Sequence, residues 1–222
     1  MESIFLKAAL LTLFITFFSL FLAFVIDSNR TGEVKQFVQN LVFESESNRL
    51  LSKFYSFAQN STIKCELISI PRDIQSAKTY QLALKFKEYE QANLFNYELE
   101  ELKKAYFINL FDLYLLALEK NSFCTENKDV ILLFFYAEST CPECITTDAI
   151  IRNATAKCEN VQTFAFPLNV DYPFIRALKN FYKLDDKPSL VINDKKYPIN
   201  DLTTEKLISL LKEENAKCKG KD

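Results

Sequence analysis

The chain contains no histidine, and that absence removes more chemistry than any other feature of its composition. Histidine triads, imidazole general bases and His-containing metal sites are all excluded. Glycine is nearly missing as well: 2 residues in 222 leave no glycine-rich loop to cradle a phosphate. A single methionine beside the missing histidine weighs against copper delivery. The charges nearly cancel, with 27 basic and 29 acidic side chains, and no long Lys/Arg run stands out, so nucleic acid is not an expected partner. What the chain does have is 21 phenylalanines and 6 cysteines. So many cysteines are unusual in a reduced cytosolic protein and point to an oxidising compartment.

Two of those cysteines sit in the most informative stretch, Asp129 to Ile145. Val130 to Tyr136 is an apolar run of β-branched and aromatic residues, the length of a buried strand. Three polar residues follow, Glu138 to Thr140, then Cys141-Pro142-Glu143-Cys144, then a helical pattern. The sequence predicts a strand, a turn, and a dithiol at a helix N-terminus. Backbone N–H groups and the helix dipole favour negative charge there, which stabilises Cys141 as a thiolate. Pro142 fits the first helical positions, where no intrahelical donor is needed. Cys144 lies one turn on, within reach of Cys141 for a small disulfide ring. The rival readings of the pair are a static disulfide and half of a zinc site. A four-sulfur site needs two more cysteines at short spacing, which the chain lacks, so no metal is expected.

The run Phe134-Phe135-Tyr136-Ala137-Glu138-Ser139-Thr140-Cys141-Pro142-Glu143-Cys144 resembles the active-site strand and turn of the thioredoxin superfamily. Asp185-Asp186-Lys187-Pro188-Ser189-Leu190-Val191-Ile192 resembles that family's cis-proline loop leading into a strand. The resemblance spans about residues 128 to 217, less than half of the chain. It implies thiol–disulfide exchange, with Cys141 as the attacking thiolate, Cys144 as the resolving thiol, and no cofactor beyond their disulfide. It also implies a cis Pro188 opposite the dithiol. Lys187, Pro188 and Ser189 would then bind substrate together with Pro142 and Glu143. Two departures stand out. Thr140 replaces the tryptophan that usually precedes the first cysteine. Phe134 or Phe135 replaces the buried strand acid, leaving Glu138 as a poorly placed substitute. Glu143 disfavours the thiolate and an inward Lys187 would offset it, so oxidase, isomerase and reductase directions all stay open. The compartment leans toward an oxidase or isomerase of the membrane-anchored, DsbA-like kind.

Taken in order, the chain divides into three parts. Residues 1–30 hold an uncharged apolar run, Ala8 to Ile26, long enough to cross a bilayer as a helix. An uncleaved anchor is expected, with a cleaved signal peptide as its rival. The N-terminus would lie in the cytoplasm and the bulk of the chain outside. Residues 31–123 read as an all-α helical region. One helix is expected from Glu33 to Gln59, interrupted by the polar stretch Glu44 to Asn48. A second would open at Pro71-Arg72-Asp73 and run to about Ala92, and a third from Tyr97 to about Lys120 behind an Asn96 cap. Their aromatic stripes suit core packing; a groove for unfolded chains is the sharper alternative. Cys65 and Cys124 flank two of these helices. If those helices form an antiparallel hairpin, the two cysteines meet as a structural disulfide; otherwise they are unpaired thiols.

Residues 124–222 read as strand, helix, strand, helix, two strands and helix, the βαβαββα order of a thioredoxin-like core. The fold class expected is therefore α/β, with that core preceded by an N-terminal transmembrane helix and the helical region. By the same resemblance the dithiol helix and the last helix share a sheet face, which makes Cys158 and Cys218 a second candidate disulfide. Sequons at Asn29, Asn60 and Asn153 permit glycosylation only in a cell that performs it. The function expected is a membrane-anchored extracytoplasmic thiol–disulfide oxidoreductase. Its partners would be cysteine-containing exported proteins and a membrane redox protein, with the membrane itself held through residues 8–26. The alternative is a non-catalytic, membrane-anchored thioredoxin-like adaptor.

Overall fold

A computed structural model describes residues 2–56, 61–91, 97–124, 126, 128–137 and 141–219. The described elements are helices α1 (Glu2–Ser56), α2 (Ser61–Gln91) and α3 (Tyr97–Phe123), then β1 (Val130–Tyr136), α4 (Pro142–Thr155), β2 (Val161–Pro167), α5 (Pro173–Tyr182), β3 (Ser189–Ile192), β4 (Lys195–Tyr197) and α6 (Thr204–Glu213). The strands form one mixed sheet in the order β2-β1-β3-β4. β1 runs parallel to β2, pairing Val130 with Val161 through Tyr136 with Pro167. It runs antiparallel to β3, which in turn pairs antiparallel with β4.

β1 is apolar throughout because both of its faces are covered, and six of its seven residues are buried. Strand alternation splits them between two cores. Ile131, Leu133 and Phe135 pack with Phe107, Leu110 and Tyr114 of α3 and Ile175 and Leu178 of α5. Val130, Leu132 and Phe134 pack with Cys144 and Ile151 of α4 and Leu207 and Leu211 of α6. The turn from β3 to β4 is Asn193-Asp194, both at positive φ (44° and 69°) as a two-residue hairpin turn requires. Asn and Asp tolerate that region better than other residues with a Cβ.

α2 and α3 pack together through Leu82, Tyr89, Leu102 and Ala105. Between them lies a buried polar cluster. Gln75 donates to the Asn109 side-chain oxygen at 2.8 Å, and Thr79 donates to the Gln75 carbonyl at 2.8 Å. The pair is fastened to the sheet beside the start of β1. Asp129 Oδ2 accepts from Lys120 Nζ (2.6 Å), Gln162 Nε2 (2.7 Å) and Arg72 Nη1 (3.2 Å). Asn121 bonds both the N–H and the carbonyl of Asp129. Next to this junction a disulfide joins Cys65, one turn inside α2, to Cys124 just past α3.

Several expectations are corrected. Among the described residues no helix is long and apolar enough to cross a membrane. The N-terminal transmembrane helix expected over Ala8 to Ile26 therefore falls. With it fall the anchor assigned to 1–30 and the single-pass placement with a cytoplasmic N-terminus. The apolar run belongs to one 55-residue helix that continues through charged residues to Ser56. The described apolar side chains there, 9 to 25, are also broken by Thr12, Thr16 and Ser19, whose hydroxyls bond back to helix carbonyls. The fold class is corrected accordingly to a mostly helical chain of six described helices with a four-stranded mixed sheet.

The polar stretch Glu44 to Asn48 does not interrupt α1. Nor does Pro71 open a helix: it lies buried inside α2, ten residues past the start at Ser61. An interior proline costs about 3 kcal/mol, which packing of α2 against α3 offsets here. No cis peptide bond occurs among the described residues, so Pro188 is trans rather than cis.

Candidate functional site

β1 runs toward the dithiol, and α4 begins on it. Cys141 is the N-cap residue of α4 and Pro142 opens its first turn. The Cys144 N–H donates to Cys141 Sγ at 3.1 Å and to the Cys141 carbonyl at 3.0 Å. The cap sulfur thus occupies the position that a Ser or Asp oxygen takes at other helix starts, where backbone donors and the dipole favour an anion. Cys141 and Cys144 are disulfide-bonded, with Cα atoms 5.2 Å apart. The two sulfurs have different surroundings. Cys141 is half-buried at the surface, whereas Cys144 is 7% exposed and packs in the core with Phe134 and Ile151.

Two cavities flank the pair. One, of about 590 Å³, is lined by Cys141, Cys144 and Ile145, by Phe134 and Tyr136 of β1, and by Phe86 of α2 and Phe107 of α3 on its far wall. The other, of about 600 Å³, lies past Pro142 and Glu143 toward Ile199 and Asp201. Glu143 is exposed in the first turn of α4. The structure therefore gathers Cys141, Pro142, Glu143 and Cys144 in one place.

It does not bring Lys187, Pro188 or Ser189 to the wall of either cavity. Ser189 is buried opposite Phe135, and its hydroxyl donates to the Lys187 carbonyl at 2.9 Å. Lys187 is exposed and forms no ion pair with another described residue. Of the two phenylalanines considered as replacements for a strand acid, Phe134 is the one on the dithiol face; Phe135 points into the opposite core. Glu138 and Thr140 lie outside the described residues.

The other four cysteines pair as Cys65–Cys124 and Cys158–Cys218, leaving no free thiol. The second bond ties the end of the α4 region to the C-terminal tail, where Cys158 and Cys218 also form a β-bridge. Lys219 N–H donates to the Lys157 carbonyl alongside it.

Sequence reasoning missed the far wall. Phe86 and Phe107 belong to helical stripes that read as ordinary core. Only the packing of α2 and α3 against the sheet brings them to the dithiol. Phe86 stacks on Tyr106 at 6.1 Å, and Tyr106 contacts Phe107 at 5.0 Å, so the two wall residues are joined through a ring packed beside them. Burial in it raises the Tyr106 phenol above its ordinary range.

A second polar feature sits away from the dithiol. The Tyr114 and Tyr182 hydroxyls are 2.6 Å apart, and Tyr182 donates to Asp194 at 2.9 Å. Burial raises both phenols, and for Tyr182 the contacts with Tyr114 and Asp194 push the same way. These groups pin α3 and α5 to the β3–β4 turn and point to no chemistry of their own. No family model, no curated protein and no solved structure matches the chain.

Proposed function

We propose that the protein is a thiol–disulfide oxidoreductase of thioredoxin-like type that acts through Cys141 and Cys144 on cysteine-containing proteins. The observation that carries this reading is the asymmetry of the pair. Both cysteines line the cavity, but one is half-buried and caps a helix while its partner is 7% exposed and packed in the core. That division suits an attacking and a resolving cysteine. The order of strands and helices from β1 to α6 supports the same reading. The trans Pro188 and the uninvolved Lys187 set it apart from the family pattern.

In the oxidising direction a substrate thiolate attacks Cys141 Sγ. The Cys141–Cys144 bond breaks, and its electron pair leaves on the Cys144 sulfur, which takes a proton from solvent. A second substrate thiolate then attacks the substrate sulfur of the mixed disulfide and expels Cys141. The substrate has lost two electrons and gained a disulfide; the protein holds a dithiol. A small disulfide such as oxidised glutathione restores the starting state by the same steps. The reverse sequence reduces a substrate.

The test is a redox titration of the full chain in glutathione buffers, following the Cys141–Cys144 pair by thiol alkylation and mass. A midpoint near about −120 to −180 mV places the protein with oxidases and isomerases, and one near about −270 mV with reductases. Cys141→Ser should abolish exchange with glutathione. A pair that does not titrate defeats the enzymatic reading and leaves the adaptor.

A further inference from the structure

The cavity beside the dithiol is built from two parts of the chain that share no local sequence. Its floor and near side come from β1 and α4; its far wall comes from α2 and α3. Three observations bear on what it receives. First, Ile145 follows the buried cysteine directly yet is 74% exposed on the cavity rim, a position that core packing does not explain. Second, Phe86 is half-buried, with its uncovered side in the cavity, and Phe107 and Phe134 back the space behind it. Third, the carboxylates nearby outnumber the cations. Glu90 on the rim is exposed and has no ion-pair partner among the described residues. Glu143, at the helix start, is likewise exposed and without an ion-pair partner among them, and lines the neighbouring cavity. Asp148 shares the rim and is engaged by Arg152; Lys103 is the rim's basic residue.

We infer that this cavity selects the substrate of the dithiol. It takes an unfolded polypeptide segment with a bulky apolar side chain and a basic residue close to its cysteine. The inference rests on the dithiol reading above and deepens it. A volume of about 590 Å³ lies within the roughly 300–1,000 Å³ of ligand clefts, ample for an aromatic side chain. A folded substrate keeps such a side chain in its own core, so an unfolded segment presents it best. The unpaired carboxylates favour a nearby cation and oppose an acidic neighbour. The α2–α3 pair thereby acquires a role at the site, as the wall that reads the residues flanking the cysteine.

The experiment uses oxidised full-length protein in single turnover with short two-cysteine peptides. Three differ only beside the first cysteine: Phe with Lys, Ala with Lys, and Phe with Glu. Reduced glutathione is run as the reference. The Phe–Lys peptide should be oxidised about tenfold faster than the Ala–Lys peptide, the discrimination expected of a modest apolar pocket. It should also outpace the Phe–Glu peptide, by a margin that shrinks as salt is added. Phe86→Ala should narrow the Phe-over-Ala ratio, and the exposed substitution Glu90→Lys should shrink or reverse the Lys-over-Glu ratio. Equal rates for all three peptides, with glutathione still reacting, overturn this inference and leave the redox reading standing. Failure of glutathione to react overturns both.

Discussion

Replacing Asp129 by Asn tests whether one carboxylate oxygen holds the α2–α3 pair to the sheet. Its three donors come from α2, α3 and β2. Side-chain exposure is 12% for Asp129, 14% for Lys120 and 23% for Arg72, so these are not surface ion pairs of about 0–1 kcal/mol. Breaking one side of a fully buried pair costs about 3–5 kcal/mol, because the other charge is stranded. Arg72 keeps a contact with Asp73 and a path to water, which discounts its share. Asn retains one acceptor oxygen, so the Gln162 bond survives at neutral strength. Most of the loss therefore falls on Lys120, and the total is about 3 kcal/mol. With a urea slope of about 2 kcal/mol per M, the midpoint should drop by about 1.5 M. Tyrosine emission and far-ultraviolet circular dichroism read it, since the chain has 10 tyrosines and no tryptophan. The control is Asp186→Asn, which breaks a pair with Lys179 in which the acid is 88% exposed. It should cost less than about 0.5 kcal/mol. A shift for Asp129→Asn no larger than for this control would refute the reasoning.

Further expectations concern the sulfurs and the phenols. Replacing Cys65 and Cys124 together by Ala removes a cross-link spanning a sequence separation of 59, worth about 4 kcal/mol by chain entropy; thermal unfolding under non-reducing conditions measures it, and an unchanged midpoint contradicts it. Cys144→Ser leaves Cys141 to attack but nothing to resolve, so mixed disulfides with peptide substrates should accumulate and be visible by mass. Tyr182 is raised from its ordinary 10.0, so the folded state holds the neutral phenol. Its stabilisation is complete below pH 10 and is lost as pH rises beyond that, because the unfolded chain releases a proton that the folded one keeps. Tyr182→Phe should flatten the fall in urea midpoint between about pH 9 and 11; an equally steep fall in both proteins counts against it.

Local signals in this chain were legible and remote ones were not. β1 could be bounded at Val130 and Tyr136 because a buried strand is apolar on both faces and polar residues flank it. The Asn193-Asp194 turn follows from two residues that accept positive φ. The pairing of Cys65 with Cys124 was legible only as one of two readings, conditional on the helices between them forming a hairpin, and the structure has the disulfide. Pro71 misled because proline suits a first turn so well, and only tertiary packing shows that α2 carries it inside. The run at Ala8 to Ile26 reads as a span by its length and composition, yet among the described residues no helix is long and apolar enough to cross a membrane. At the site, the dithiol and its helix start were readable from adjacent residues. Lys187 and Pro188 were placed there by resemblance and do not line it, while Phe86 and Phe107 do. Membership of that wall depends on how a distant helix pair docks, which no local pattern encodes.

The two structural disulfides also decide how the chain carries mechanical load. Residues 65 to 124 and 158 to 218 each form a covalent ring, and the rings follow one another without overlapping. Tension applied at the ends passes through both bridges and spares everything inside them, including β2, β3, α5 and α6. What remains in line between the rings is the stretch that holds β1, the dithiol and α4. A protease cut inside either ring leaves the pieces joined, whereas a cut between Cys124 and Cys158 separates the molecule into two unless it falls within the small Cys141–Cys144 ring. Between the two large rings, the segment bearing the reactive sulfurs is thus a single covalent strand once the Cys141–Cys144 bond is reduced.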